Sequence, residues 1–329
     1  MTYNSVIAAC EKAGEWKRAL NVLSQMRADG IAPGVKAYTA AIAACARASP
    51  SQTTVALGLL AQMKKQAAEG DKNAVPNVIT YSAAINSCAH TGEWRRSLDL
   101  LDAMQREGLR PDRIAYNSVL NACRTGGAPR EALGVWDAMI DRAGIKPDII
   151  SLTETVGAAE RGGDSVASDR VFTRAVLEGV LFGSDFCLDR MWETGADATA
   201  EWEVDVSGLT IPVARAAARY TLRRIVEDEH SEQQLRDLVF ITGVGQLDRR
   251  ASASSPSNHG FRKYAQSNER KQTRSALREH LLGYLRDDFE PALSPSIPAH
   301  MPGTILITAS ALRTHMAADA RKRPETRKE

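Results

Sequence analysis

Short polar side chains recur in the first half of the chain, each directly after a tyrosine. Their hydroxyl or amide groups can both donate and accept hydrogen bonds, so a regular set of them could recognise the polar edges of a ligand. The same residue types are also favoured where helices begin, which leaves a purely structural role open. The four residues are Asn4, Thr39, Ser82 and Asn117.

The spacing of these positions predicts a repeat. The preceding tyrosines, Tyr3, Tyr38, Tyr81 and Tyr116, are separated by steps of 35, 43 and 35 residues. A period in this range is typical of stacked helical repeats.

Four of the five cysteines follow the same steps, at positions 10, 45, 88 and 123. They fall within an apolar helical pattern, and no CxxC pair is present. Cysteine in such a setting behaves as a small buried hydrophobe, so we expect packing rather than disulfides or a metal site.

Each repeat contains two amphipathic helical patterns, which a glycine separates in every repeat except the second, where Ser49-Pro50-Ser51 lies between them. In the third repeat, Tyr81, Ile85 and Cys88 share one face, and Thr91-Gly92 precedes a second pattern that ends before Gly108 and Pro111. The sequence therefore predicts helical hairpins that bury their apolar faces by stacking. The predicted repeats are 1–34, 35–77 (with extra residues in its turn and exit loop), 78–112, 113–148 and a degenerate 149–183.

The wording of the repeats resembles the pentatricopeptide repeat family. Thr2-Tyr-Asn-Ser-Val-Ile, then Ala13-Gly-Glu-Trp-Lys-Arg-Ala-Leu, then Met26-Arg-Ala-Asp-Gly-Ile-Ala-Pro carry the resemblance, with Tyr, Gly, Met, Gly and Pro in register across the first half. The resemblance implies binding of single-stranded RNA, with one base read per repeat by two or three side chains.

In that family the base is contacted by the residue after the tyrosine and by the last residue of the repeat. An apolar residue two places before the tyrosine flanks the base; Ile79 and Ile114 match this, whereas Lys36 departs from it. The family's pairing rules imply the reading 5′-Y-A-G-U-3′. The implied base-reading pairs are Asn4 with Gly34, Thr39 with Asn77, Ser82 with Asp112, and Asn117 with Asp148.

The net charge of +2 is too small to establish a polyanionic partner, so any contact with phosphates must come from local placement. Basic residues in the repeats could meet phosphates or simply form a solvated helix face, and the sequence favours neither. These residues are Lys12, Lys17, Arg18, Arg95, Arg96, Arg124 and Arg130.

The second half of the chain predicts a small α/β domain over 201–308, after a linker at 184–200. The expected order is a strand at 203–207, a helix at 214–226, a strand at 238–241, a helix at 275–288 and a strand at 303–308. The polar stretch 246–272 predicts a disordered insertion. Residues 309–329 are expected to form a basic tail.

This half resembles the small MutS-related (Smr) domain through Val204-Asp-Val-Ser-Gly-Leu and Val239-Phe-Ile-Thr-Gly-Val-Gly. The resemblance implies nucleic-acid binding and, in some members, nicking. Asp205 matches the family's acid, but Ser207 stands in place of its histidine, and serine cannot serve as an acid–base group near neutral pH.

The Thr-Gly-x-Gly turn formed by Thr242, Gly243 and Gly245 presents backbone N–H groups suited to a phosphate, and Ser207 would join this contact. His230, His259 and His280 are most simply surface histidines. We expect no cofactor and no metal, with Mg²⁺ needed only if the domain is a nuclease.

The sequence thus predicts an all-α helical-hairpin solenoid followed by a small α/β, Smr-like domain. The implied function is selective RNA binding in organellar RNA processing, stability or translation. An endonuclease and a protein-interaction scaffold remain alternatives, and other RNA-processing proteins are candidate partners. Family habit suggests a plastid or mitochondrion. No targeting peptide is visible and Met1 lies inside the first repeat, which predicts repeats upstream. No run approaches the roughly 20 apolar residues that a membrane helix needs.

Overall fold

The structure, a computed structural model, describes residues 3–181, 201–227, 235–242, 274–289, 291–299, 301 and 303–322. The chain divides into two compact units, Met1–Ala167 and Ser168–Glu329.

The N-terminal unit is built from helical hairpins, as predicted. The hairpin helices are α1 (Tyr3–Ala13) and α2 (Trp16–Ala28), α3 (Val35–Arg47) and α4 (Thr53–Ala68), α5 (Val78–Thr91) and α6 (Trp94–Arg106), and α7 (Arg113–Thr125) and α8 (Pro129–Asp137, continued by the π-helical turn Ala138–Arg142). They are followed by α9 (Ile149–Arg161) and by α10 (Ser165–Leu177), most of which falls in the second unit.

The first helices of successive hairpins stack directly on one another. α1 packs on α3, α3 on α5, α5 on α7, and α7 on α9. The second helices α2, α4, α6 and α8 each pack against the first helix of their own and of the next hairpin. One continuous layer of first helices results, which confirms the predicted solenoid. The longer second repeat keeps this stacking because its extra residues lie in the α3–α4 turn and in the exit segment that contains the 3₁₀ turn Lys72–Ala74.

The repeating tyrosines and cysteines form the core of this layer. Tyr38 and Tyr81 expose 1% or less of their surface, and Cys45, Cys88 and Cys123 are fully buried free thiols. The cysteines therefore pack as small hydrophobes, as the sequence predicts.

The C-terminal unit contains a three-stranded mixed sheet in the order β1-β2-β3. β1 (Trp202–Asp205) runs parallel to β2 (Leu238–Ile241), which pairs antiparallel with β3 (Thr304–Ile307). Among the described residues, α11 (Ile211–Glu227) lies between β1 and β2, and α12 (Arg274–Gly283, continued by the π-helical turn Tyr284–Asp288) lies before β3. The order of strands and helices is the one predicted.

The division between the units differs from the predicted linker at 184–200. Asp169 of α10 is nearly buried because Arg219 and Arg223 of α11 bind its two carboxylate oxygens at 2.5 and 2.8 Å. The ring of Phe172, fully buried, packs 5.6 Å from that of Tyr220. Most of α10 therefore belongs to the C-terminal unit. The predicted linker and the insertion 246–272 lie outside the described residues.

The predicted tail at 309–329 is wrong for its first part, which forms α13 (Ala309–Lys322). Leu312 and His315 share one face and are buried, and the His315 Nδ1–H donates to the carbonyl oxygen of Pro291 at 2.8 Å. An apolar face at helical spacing therefore offsets the polar composition of this stretch. Among the helices that the structure describes, none combines the length and apolar character needed to cross a bilayer.

Candidate nucleic-acid interface

The predicted base-reading residues lie at the N-terminal ends of the first helices. The residue after each tyrosine lies within the opening turns of α1, α3, α5 or α7, whereas the last residue of each repeat is the N-cap of the next first helix. Because neighbouring first helices stack, the two members of each pair lie at the same, N-terminal edge of the layer. The helix-starting role therefore belongs to the last residues, Gly34, Asn77, Asp112 and Asp148, and not to Asn4, Thr39, Ser82 and Asn117.

In the second repeat the pair is joined through a residue of the third repeat. Thr39 Oγ1 lies 2.7 Å from Thr80 Oγ1, which in turn donates to Asn77 Oδ1 at 3.0 Å. The backbone N–H of Thr80 also donates to Asn77 Oδ1, completing a capping box at the start of α5. Thr39 and Asn77, 38 positions apart in sequence, thus belong to one hydrogen-bonded cluster.

In the fourth repeat the pair is in direct contact. Asn117 Nδ2 donates to Asp148 Oδ1 at 3.1 Å, and Ser151 Oγ lies 2.6 Å from Asn117 Oδ1 and 3.0 Å from Asp148 Oδ1. Asp148 caps α9 by accepting from the Ser151 N–H at 2.9 Å. Ser151, of the fifth repeat, contacts the fourth-repeat pair as Thr80, of the third repeat, contacts the second-repeat pair.

The other two repeats lack this link, since alanine occupies the same place. In the third repeat, Ser82 donates to the carbonyl oxygen of Val78 at 2.8 Å, while Asp112 accepts from the N–H of Ala115 at 2.8 Å. In the first repeat, Asn4 is exposed, and Gly34 brings no side chain to the pair. The position after Gly34 that corresponds to Thr80 is Ala37.

The predicted base-flanking residues are exposed apolar side chains. Ile79 and Ile114 expose 66% and 65% of their surface, one turn before their pairs. Lys36, at the corresponding place in the second repeat, is also exposed. An aliphatic side chain left in water beside polar groups is available to cover the face of a ligand.

Most of the basic residues singled out for phosphate contact lie at the opposite end of the first helices, beside the hairpin turns. α7, for example, has 13 residues, so its ends are about 20 Å apart. Arg124, at its C-terminal end, forms an ion pair with Glu154, whose side chain is only 3% exposed. This pair links α7 to α9 and favours a structural role for Arg124 over phosphate contact.

Other basic residues near the turns also have local partners. Arg96 pairs with Glu93, and the Arg95 guanidinium lies 4.7 Å from the Trp94 ring centre. Arg113 was not among the predicted phosphate contacts, yet it lies near a base-reading pair, with Nη1 3.9 Å from Asp148 Oδ2. Its position as the first residue of α7 was the available signal.

In the C-terminal unit, the predicted contact residues meet at the carboxyl ends of β1 and β2. Asp205 pairs in register with Ile241, directly before Thr242, and Asp205 Oδ1 accepts from the Ser207 N–H at 2.8 Å. Thr242 is fully buried, and both its N–H and its hydroxyl donate to the carbonyl oxygen of Gly303. Both donors therefore hold β2 to the segment before β3, and the predicted contact of Thr242 with nucleic acid stays a prediction.

Gly243 and Gly245 lie outside the described residues, as do His230 and His259. His280 is exposed on α12. Within the part of the chain that the structure describes, no group of three or more His, Cys, Asp or Glu side chains is placed to hold a metal ion.

Comparison with known sequences decides what the repeats are. Residues 1–47 and 76–125 match the PPR (pentatricopeptide) repeat family, and residues 114–142 match the PPR repeat. These segments are therefore similar to PPR repeats, over about a third of the chain. The unmatched stretch between them contains α4 and the extra turn of the long second repeat.

Two curated relatives, both pentatricopeptide repeat-containing proteins of Arabidopsis thaliana, match the same PPR character. The chain is 27% identical to one over 103 residues and 28% identical to the other, a chloroplastic protein, over 109 residues. The matches cover 31% and 33% of this chain but only 18% and 14% of the relatives, so the matched region is less than a fifth of either relative.

Solved PPR structures are similar at 19% identity. The PPR domain of Arabidopsis thaliana protein-only RNase P 1, in complex with tRNA, gives a TM-score of 0.44 over 51% of this chain and 84% of that one. The PPR protein PPR10, in complex with an 18-nt psaJ RNA element, gives 0.41 over 86% of this chain and 40% of that one.

Proposed function

We propose that the PPR repeats bind single-stranded RNA along the N-terminal edge of the first-helix layer, reading one base per repeat. The observation that carries the proposal is the meeting of the base-reading pairs: Asn117 contacts Asp148, and Thr39 reaches Asn77 through Thr80. Polar side chains from separate places in the sequence thus form paired donor and acceptor sets beside exposed apolar side chains. That combination suits the polar edge and the flat face of an unstacked base.

The proposed RNA reading is 5′-Y-A-G-U-3′ for the first four repeats. In the second repeat, Asn77 Oδ1 is occupied by the N–H and hydroxyl of Thr80, so the amide nitrogen is the group left to face a ligand. A donor beside the Thr39 hydroxyl suits adenine, which presents an acceptor next to an amino group.

Retargeting the second repeat tests this function. Thr39→Asn with Asn77→Asp builds a pair like Asn117 and Asp148, and aspartate is as good an N-cap as asparagine, so α5 keeps its start. We expect the preferred base facing the second repeat to change from adenine to uracil, measured by selection from a pool of short RNAs. Single substitutions serve as controls. An unchanged base preference in a variant that still binds RNA contradicts the proposal. A chain that binds no RNA but still binds protein partners would instead be a scaffold.

We propose further that the C-terminal unit is an Smr-like module that adds contacts to the nucleic-acid backbone without cleaving it. Its support is the edge of the sheet where Asp205 ends β1 opposite Ile241 of β2 and accepts from the Ser207 N–H. The same RNA pool, incubated with and without Mg²⁺, distinguishes binding from cleavage. Cuts that disappear in Asp205→Ala would make the unit a nuclease. By likeness to the chloroplastic relative, we propose a plastid setting in RNA processing, stability or translation, with a mitochondrial setting as the alternative.

A further inference from the structure

The residue directly before the tyrosine, in the repeat that follows a base-reading pair, differs along the chain. It is a hydroxyl residue after the second and fourth repeats, where Thr80 and Ser151 stand, and alanine after the first and third, where Ala37 and Ala115 stand. Both hydroxyl residues are completely buried.

Thr80 has one hydroxyl proton, and its geometry shows where that proton goes. The Asn77 side-chain oxygen is fixed toward Thr80 because it accepts from the Thr80 backbone N–H at 3.0 Å, and a backbone N–H can only donate. The Thr80 hydroxyl lies 3.0 Å from that same oxygen, so it donates its proton there. The 2.7 Å contact between the two threonine hydroxyls is then donated by Thr39.

The consequence is a fixed polarity for the second repeat. With its proton committed to Thr80, Thr39 offers its oxygen to a ligand as an acceptor. Asn77 offers its amide nitrogen as a donor, since no acceptor among the described residues takes its hydrogens. An acceptor beside a donor matches the adenine edge that carries the N6 amino group and N7, whereas guanine presents two acceptors, O6 and N7, on the same edge and uracil presents the acceptor O4.

Ser151, of the fifth repeat, stands in the same relation to the base-reading pair of the fourth repeat. Its hydroxyl proton faces Asn117 Oδ1 at 2.6 Å and Asp148 Oδ1 at 3.0 Å, while Asn117 Nδ2 donates to Asp148. The serine therefore fixes the orientation of the Asn117 amide, whose oxygen faces Ser151 and whose nitrogen faces the Asp148 carboxylate. In the third repeat, Ala115 cannot make this link, and Ser82 and Asp112 each bond to backbone instead.

We propose that Thr80 and Ser151 are positioning residues that set the hydrogen-bonding polarity of the base-reading pair in the preceding repeat. The inference rests on the proposed RNA-binding function. It makes the specificity of one repeat depend on a buried hydroxyl supplied by the next, and it makes the second and fourth repeats more selective than the first and third.

The test uses the full chain and short single-stranded RNAs that differ only at the nucleotide facing the second repeat. Thr80→Val removes the hydroxyl at nearly constant volume and frees Thr39 to donate as well as accept. We expect the ratio of dissociation constants for guanine and adenine to fall about threefold to tenfold, the range set by one neutral hydrogen bond. Thr80→Ser should restore the ratio, and discrimination at the nucleotide facing the fourth repeat should not change.

The outcomes separate this inference from the function on which it rests. A purely structural Thr80 would weaken binding of all four nucleotides equally, and an unchanged ratio in Thr80→Val would overturn the inference while base reading stands. A wild-type chain with no base preference at any nucleotide would overturn both. If Thr80→Val does not fold, Ser151→Ala tests the inference instead. It should lose base discrimination only at the nucleotide that faces the fourth repeat. Ala115→Ser should change discrimination only at the third.

Discussion

A Cβ atom on Gly126 would lie 2.2 Å from the carbonyl oxygen of Gly92. The turn of the third hairpin therefore rests directly on the turn of the fourth. Gly92 has a φ of +71° and ends α5 in the left-handed conformation, so the first glycine is required by its own backbone and the second by its neighbour.

Gly126→Ala should lower the free energy of unfolding by about 1–3 kcal/mol, since the added methyl group meets backbone that cannot rotate away. Gly134→Ala is the matched control, because it lies inside α8 with nothing within 4 Å of the added atom. That control should be neutral or stabilise the helix by about 0.5–1 kcal/mol. Urea unfolding of both variants measures the difference, and equal effects would contradict the stacked turns.

The buried thiols predict a loss of stability at alkaline pH. Burial raises the pKa of Cys45 and Cys88 to about 11 and that of Cys123 to about 12, above the ordinary thiol value of 9.0. Because the pKa of each thiol is higher in the folded than in the unfolded chain, the stability contributed by the protonated thiols is fully present below pH 9 and is lost as the pH rises toward 11–12. Urea midpoints measured across this window should fall, and Cys88→Ala should make the decline less steep. Thiol reagents should modify these three residues only on unfolding.

The Arg124–Glu154 ion pair should contribute to folding rather than to RNA affinity. Arg124→Met keeps the aliphatic stem over Gly157 but leaves the buried carboxylate without this partner, and the free energy of unfolding should fall by about 1–3 kcal/mol. The double variant with Glu154→Gln should lose less than the sum of the single variants. The salt dependence of RNA binding should not change. A shallower slope for Arg124→Met would restore the phosphate-contact hypothesis for this residue.

Thr242→Val should destabilise the C-terminal unit without changing its affinity for nucleic acid. The valine keeps the volume but loses the bond to the Gly303 carbonyl, at a cost of about 1 kcal/mol. Thermal unfolding and RNA binding, measured on the same preparations, separate the two effects. A clear loss of affinity with unchanged stability would instead support the predicted contact of Thr242 with nucleic acid.

Ile79→Ala and Ile114→Ala should weaken RNA binding while leaving stability nearly unchanged. Both side chains are about two-thirds exposed, so little packing is lost in the free protein, whereas each would cover part of a bound base. We expect roughly a fivefold loss of affinity for each, about the effect of withdrawing one methylene group from an apolar contact, since the base covers only part of the side chain. Ile31→Ala, 45% exposed and outside the first-helix layer, is the control. Equal effects at all three positions would argue against the proposed surface.

The repeat half of the fold could be predicted because each repeat states the same pattern. The tyrosine and cysteine steps fix the register of the first helices, and the stacking of those helices then brings Asn117 to Asp148 without further information. The second half carries no such redundancy. A short apolar face on a polar background, Leu312 with His315, was missed as a helix, and α10 was counted with the repeats although Asp169 is bound by two arginines from α11.

Side-chain roles were harder to predict than positions. Thr242 follows β2 as expected, but its hydroxyl turns into the sheet, which depends on a carbonyl some 60 residues away. Arg124 looked like a surface cation until Glu154, from the next repeat, was placed against it. In both cases the deciding partner is remote in sequence, and the local residue type is compatible with either role.

Because the N-caps take part in the base-reading pairs, each site is built from residues of two successive repeats. Asn77 starts α5 and completes the pair of the repeat before it, while Thr80 closes the same cluster from the other side of the boundary. A repeat cut out at its helix ends would therefore carry fragments of two sites and no intact one. Exchange of repeats between such chains, in nature or by engineering, preserves recognition only if the crossover lies beyond the first turn of the helix that follows.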